Sequence, residues 1–303
     1  MIKSHSIFSV FLAIICSSNV LSIQNGESAT TPWDQWGDAN PSWVENTEPF
    51  RIIGNIYFVG TKGLSSFLIS SSEGHILIDG GLPQNAPIIA GNITALGFNI
   101  KDVKILLNSH AHFDHSGGLR DLKEMSGAKL LASTGDRSAL EGGFYLGYED
   151  NINYSAPPVE VDEIINDGDL VTLGDIALKT SLTPGHTRGC TSWTTNIVEA
   201  EVSYEVLFFC GATVAGNTLV PEQYAGIVDD YRRTFEKTAA WQPDVMLVNH
   251  PFFFDMDAKR EKQKSGDPLA FVDPEDFPKF MENLSQAFEQ SLAQATAEKT
   301  NSK

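Results

Sequence analysis

The segment from Val103 to Met125 restricts the fold more than any other. An apolar run, "VKILLNS", leads directly into "HAHFDH" (residues 110–115), and "SGGLRDLKEM" follows. The run reads as a buried strand and the last part opens a helix, so four side chains able to hold a cation sit on the loop between them. Loops at the C-terminal ends of strands are where α/β folds build their sites. On an extended segment His110 and His112 point the same way and can grip one metal. Asp114 and His115 come as the chain turns, so they can face a second point nearby. Two neighbouring cations need roughly six protein ligands, and this stretch supplies four.

Downstream of residue 22 the chain has six histidines, at 75, 110, 112, 115, 186 and 250. His186 stands in "LTPGHTRGC", a Pro-Gly turn after a strand, and His250 in "DVMLVNHP", again at the end of an apolar strand. Both occupy the same kind of place as the first cluster, so they are the expected remaining ligands. His75, in "SEGHILID", fits no such pattern and reads as an ordinary surface or turn histidine.

The same strand-then-helix logic organises the rest. Strands are expected at "FRIIGNIYFVG", "LSSFLISS" and "GHILIDGG", and a helix at "NAPIIAGNITALG". After the cluster come a helix at "GLRDLKEMSG", a strand at "AKLLAS" and a polar stretch from about 141 to 160. Strands resume at "DLVTLGDIALKTSLT". They are followed by a helix near "DYRRTFEKTAAW", the strand "DVMLVNH" and a last helix, "PEDFPKFMENLSQAFEQSLAQA". The order repeats in the second half, which predicts two similar α/β halves with sheets inside and helices outside.

The first residues differ in kind. Lys3 precedes "IFSVFLAIIC", and "VLS" ends at Ser22 with small residues at the positions before a cut. Residues 1–22 therefore read as a secretory signal, too short to span a bilayer stably, and the protein as periplasmic or secreted. Cys16 also hints at lipoprotein processing, although Ile15 suits it poorly. Residues 23–48 read as an ordered extension, 49–290 as the domain, and 291–303 as a polar, disordered tail. No other stretch approaches the length of a membrane span.

Export leaves Cys190 and Cys210. Both flank a strand-like pair, "CTSWTTNIV" and "YEVLFFC", joined by "EAEVS". A turn centred near Ala200 pairs residues whose numbers sum to 400, so the two cysteines would face each other. A disulfide and two buried thiols are both open on this pattern. With 21 basic and 39 acidic residues the net charge is −18. That acidity argues against phosphate backbones and anionic lipid as partners, and no protein partner is evident.

The combination HxHxDH, a distant Gly-His and a further His resembles the metallo-β-lactamase superfamily. "ILIDGG" matches that superfamily's early Asp-Gly strand end, with Asp79 as a support residue. The resemblance implies an αββα sandwich, two mixed β-sheets flanked by helices, with zinc at one edge. Most members outside the lactamases carry an Asp bridging both metals after a strand. Here "CGATV" puts Ala212 in that place, which speaks against the lactonase and thioesterase branches. From about Trp33 to Val272 the context is similar to class B, subclass B3 metallo-β-lactamases. The segments that carry this are "PFRIIGNIYFVGT", "HAHFDHSGGLRDL", "YSAPPVEVDEIINDGD", "TPGHTRGCTSW" and "HPFFFDMDAKR".

The resemblance implies two Zn²⁺ per chain. His110, His112 and His186 would hold the first, and Asp114, His115 and His250 the second. The implied reaction is hydrolysis of the β-lactam amide, carbapenems included, by metal-bound hydroxide that Asp114 orients, which would confer antibiotic resistance. Another hydrolase on the same scaffold, cutting a lactone or thioester, is the alternative, and a zinc-binding protein without turnover a third. Many subclass members have serines where this chain has Ala212 and Val214. Thr213 or Asn217 would substitute for them toward substrate. Trp33, Trp36 and "EGGFYLGYEDNINY" would line the cleft, or serve only as packing.

Overall fold

The computed structural model describes residues 31–301. The expected signal at 1–22, Cys16, and most of the start of the extension lie outside the described residues. A short helix, α1 (Asp34–Ala39), opens the described chain.

Seven strands form the first sheet in chain order: β1 (Phe50–Ile53), β2 (Ile56–Phe58), β3 (Phe67–Ser71), β4 (Gly74–Ile78), β5 (Val103–Leu107), β6 (Lys129–Ser133) and β7 (Glu163–Ile165). Pairing is antiparallel from β1 to β4 and parallel from β4 to β7. The helices α2 (Ala86–Ala95), α3 (Phe113–Ser116), α4 (Leu119–Ser126) and α5 (Thr134–Gly142) lie in its crossovers. The second sheet has β8 (Leu170–Leu173), β9 (Ile176–Leu182), β10 (Thr191–Glu199), β11 (Val202–Phe209) and β12 (Val245–Val248), in the order β12-β11-β10-β9-β8. Only β11 and β12 pair in parallel. Helices α6 (Ile227–Thr238), α7 (Met256–Lys264) and α8 (Asp276–Asn301) complete it.

Side-chain alternation sorts the layers. In β3, Phe67 and Ile69 join the core between the sheets, and Leu68 faces the helices. In β4, Ile76 and Ile78 point inward and Leu77 outward. The outer cluster is closed by Ile89 and Ile93 of α2, Leu122 of α4 and Leu140 of α5. On the other side Phe277, Met281, Leu284 and Phe288 of α8 are buried at helical spacing. The result is helix, sheet, sheet, helix. Strands β4, β5 and β6 end at one edge. Through the antiparallel partner β10, β9 runs in the same direction as β11 and β12. The loops after β4, β5, β9 and β12 therefore reach one rim.

Several expectations change. The tail at 291–303 is helical as far as Asn301 rather than disordered. Once α8 is nucleated by its buried face, adding alanine-rich turns costs little, and Gln294 Nε2 donates to Glu298 Oε1 at 2.9 Å. Helices α5 and α7 and strand β7 fall in stretches for which no element was expected. His75 is buried in β4, not at the surface; it pairs with Ser70 of β3, and its ring meets the Phe98 edge at 4.8 Å.

The cysteine hairpin also differs in register. Observed pairs sum to 401, for example Trp193 with Phe208, because the turn has two residues, Ala200 and Glu201, both at positive φ. A regular ladder in that register would send the two cysteines to opposite faces. They are nevertheless joined by a disulfide, with Cα atoms 5.8 Å apart. Both lie just outside the paired segment, where the backbone leaves the ladder. The bond closes a separation of 20 residues. Replacing both cysteines by serine is expected to lower the unfolding free energy by about 3 kcal/mol, from the lost constraint on the unfolded chain. Denaturant unfolding checks it, and an unchanged midpoint on substitution or full reduction would refute that contribution.

Candidate metal centre

Strand β5 delivers Leu107 into the core, the chain bends at Ser109, and His112 is extended before α3 turns it. His110, His112, Asp114, His115 and His186 are all buried. The rings of His110, His112 and His186 form a triangle with centroid separations of 4.7, 4.5 and 4.6 Å. One nitrogen from each ring lies within 4.8 Å of the others, and the same holds for ligand atoms of His110, Asp114 and His115. Asp114 Oδ2 is 3.3 Å from His115 Nε2 and 3.6 Å from His250 Nε2. All six residues predicted as ligands are thus brought together, with His110 between the two groups.

Hydrogen bonding sets the ring orientations. Ser109 Oγ donates to Asp79 Oδ2 at 2.7 Å, so its single proton is used. It is then free to accept from His110 Nδ1, 3.1 Å away, with the proton of that ring on Nδ1. His110 Nε2 is buried and has no hydrogen-bond partner. His186 Nδ1 donates to Thr213 O at 2.7 Å, and His250 Nδ1 to Gly63 O at 3.2 Å. Three histidines therefore keep the proton on Nδ1 and a lone pair on Nε2, the arrangement a metal needs. An uncompensated buried nitrogen is costly, and a cation held by these donors would satisfy it. The residues present fit a zinc-type site of nitrogen and carboxylate ligands.

Two buried carboxylates hold the ligand loops. Asp79, at a left-handed φ of 63°, takes the Ser109 N–H at 2.7 Å and Asn108 Nδ2 at 3.0 Å besides the Ser109 hydroxyl. Asp136 of α5 takes the Ala111 N–H at 2.9 Å, the Thr187 hydroxyl at 2.8 Å and the Gly189 N–H at 2.9 Å. It joins the His110–His112 segment to the His186 turn. Asp136 was missed in the sequence, where it falls in a stretch for which no element was expected; no local signal marks it.

Electrostatics divide the set. Burial, then the neighbouring imidazoles, push His110 and His112 well below the ordinary histidine range. Burial lowers His186 and His250 to about 4. Burial alone would raise Asp114, but His115 and its hydrogen bond overcome it and keep the carboxylate ionised. The same pairing with Asp114 raises His115 against its burial. Burial pushes Asp136 up to about 6 despite its three donors.

His112, Asp114, His115, His186 and His250 form the floor of a cavity of about 370 Å³, and His110 is fully buried and does not line it. Trp36, Phe113, Tyr145, Tyr148 and Tyr154 form one aromatic wall, and Trp43, Phe252 and Phe253 the other. Trp36 stacks on Phe113 at 4.7 Å and is anchored by Nε1 to Asn153 O at 2.5 Å. Trp33 does not line the cavity; its Nε1 donates to Ser155 Oγ at 3.2 Å. Thr213 lines it. Asn217 does not, which corrects the expectation that it faces substrate: its amide is used up inside the protein, on Tyr145, His186 and Tyr231. Ala212 is buried in the inter-sheet core, and Val214 is packed against it.

The family model of the metallo-β-lactamase superfamily matches residues 59–198. Among solved structures, BJP-1, a subclass B3 metallo-β-lactamase of Bradyrhizobium japonicum, is 46% identical, with a TM-score of 0.82, over 84% of this chain and 97% of that one. The FEZ-1 metallo-β-lactamase from Legionella gormanii is 35% identical, with a TM-score of 0.81, over 83% and 98%. A hydroxyacylglutathione hydrolase of Maricaulis maris is 30% identical over 105 residues, 35% of this chain. The chain spans about a third of the length of that curated relative. Matched along nearly the whole of two metallo-β-lactamase structures, with the His/Asp cluster at the rim of two stacked sheets, the chain belongs to the metallo-β-lactamase superfamily.

Proposed function

We propose that this protein is a zinc-dependent β-lactamase of the subclass B3 type, opening the amide ring of β-lactam antibiotics, carbapenems among them, and so conferring resistance. The observation that carries this reading is the convergence of six ligand side chains, five of them lining an aromatic cleft, beside a loop that offers Ala212 in place of a carboxylate. His110, His112 and His186 would hold one Zn²⁺, and Asp114, His115 and His250 a second. Zinc bound there supplies Lewis acidity, activating water and polarising the scissile carbonyl.

The chain's own groups do the rest. The Nδ1 hydrogen bonds of His110, His186 and His250 keep their Nε2 lone pairs directed at the site. Asp114, ionised and close to His115 and His250, accepts a hydrogen bond from the attacking water and orients it. The aromatic walls hold the apolar face of a fused bicyclic substrate and exclude bulk water. Thr213, which lines the cleft, would offer substrate a polar contact. Export to the periplasm or outside fits the disulfide. Among the described residues no helix is long and apolar enough to cross a membrane.

The second reading is a thioesterase or lactonase, favoured by the Maricaulis maris relative. Ala212 opposes it, as do the lining residues. Among those described, none is Lys or Arg, whereas a glutathione conjugate presents two carboxylates that call for cationic partners.

Purified protein is expected to hydrolyse a carbapenem and a cephalosporin, to lose this with a chelator and to regain it with zinc. Turnover of a glutathione thioester or an acyl lactone instead would sink the proposal. Asp114→Asn, which keeps the shape but removes the charge, should lower kcat by about 10²-fold or more, measured with zinc content held equal.

Acid should weaken the metal-free fold through the histidines. His186 and His250 titrate near 4 when folded and near 6.5 when unfolded. Their contribution is present in full above pH 6.5 and is lost as pH falls toward 4. Asp136 acts oppositely over about 6 to 4, because its folded carboxyl binds the proton first. The comparison that isolates His186 is wild type against His186→Asn, both metal-free. The variant should lose less stability between pH 6.5 and 4.5, by about one proton's worth of slope. Parallel curves would refute this.

A further inference from the structure

We propose that Asn217 is a positioning residue that fixes His112 and His186 together, through a closed relay with Tyr145, Tyr231 and the Thr213 carbonyl. This rests on the reading of those histidines as ligands. Asn217 lies on the loop between β11 and α6, is buried, and does not line the cleft. Its Oδ1 accepts from the Tyr145 hydroxyl at 2.8 Å. Its Nδ2 donates to the His186 backbone carbonyl at 2.9 Å and to the Tyr231 hydroxyl at 3.1 Å. The Tyr231 hydroxyl in turn donates to Thr213 O at 2.8 Å, and the same carbonyl accepts His186 Nδ1–H at 2.7 Å.

These bonds close a ring that pins His186 at both its main chain and its imidazole. Every proton in it has one direction, because the Nδ2 group has two protons and both are used. A flipped amide would set Nδ2 against the Tyr145 donor and Oδ1 against the His186 carbonyl. Burial keeps both tyrosine hydroxyls protonated, so each remains a donor. The second branch runs through the Tyr145 ring, which lies flat on His112 with centroids 4.0 Å apart and planes 10° from parallel. Among the described residues, none hydrogen-bonds to a ring nitrogen of His112 to orient it instead. Tyr145 also contacts Tyr148 and Tyr154 of the aromatic wall at 5.7 and 5.5 Å. One buried amide thus links two expected ligands of one metal to a wall of the cleft.

The test is zinc affinity, measured on metal-free full-length protein against a chromophoric chelator, together with the His186 Nδ1–H resonance in the metal-free state. Asn217→Asp keeps the shape but removes both Nδ2 donors. It is expected to weaken zinc binding by about 10–100-fold and to broaden or shift the His186 resonance. Tyr145→Phe keeps the stack and removes only the anchor, so it should fall between wild type and Asn217→Asp; it also serves if Asn217→Asp does not fold. A wild type that binds no zinc overturns the functional reading and this proposal with it. A wild type that binds zinc while both variants match it within twofold, whatever their melting temperatures, overturns the relay alone.

Discussion

An imidazole presents a lone pair on Nε2 only while its proton stays on Nδ1, and the rim of this fold is built around that condition. Ser109, Thr213 and Gly63 each supply the oxygen that holds such a proton, for His110, His186 and His250. None of these acceptors is local in the same way. Ser109 is the sequence neighbour of its histidine, Thr213 is 27 residues from His186, and Gly63 is 187 residues from His250. The site therefore exists only when loops from both sheets are in place. Asp79 and Asp136 fix two of those loops by accepting three donors each, and burial makes the loss of any such bond costly.

The cleft combines a polar floor with apolar walls. The ligand cluster concentrates five imidazoles and one carboxylate where four of the imidazoles stay neutral at physiological pH. That neutrality suits cation binding, since few protons must be displaced. The net charge of −18 is spread over the whole chain, and salt screens exposed charges beyond roughly 8–10 Å. An anionic substrate would therefore meet mainly the local field of the site. The walls come from distant segments: α1 gives Trp36, the 145–154 loop three tyrosines, and the turn after β12 gives Phe252 and Phe253.

Much of this was legible in residue order. Layering follows from apolar strands alternating with amphipathic helices, and β3 and β4 carry the alternation in single side chains. The ligands at 110, 112, 114 and 115 stand out because four donors fall within six positions. His186 and His250 were found by their shared place after apolar strands. The errors have equally physical causes. A one-residue difference in turn length moved the cysteine register from 400 to 401. The tail looked disordered by composition, yet an existing helix extends at little cost through alanines. Asn217 seemed free to meet substrate because its three partners are 14, 31 and 72 residues away.

What the sequence alone determined is the chemistry available: which groups can hold a metal, on strand ends, in an α/β layered chain with two cysteines near the same hairpin. Those properties are local, set by residue type and by spacings of two and about 3.6. Tertiary structure alone decided where each proton sits, which carboxylates act as braces, and that Trp36 and Thr213 face the cleft while Trp33, Ala212 and Asn217 do not. Such outcomes depend on contacts between segments far apart in the chain, and a side chain's partners there are chosen by packing and by burial, which no short-range pattern encodes.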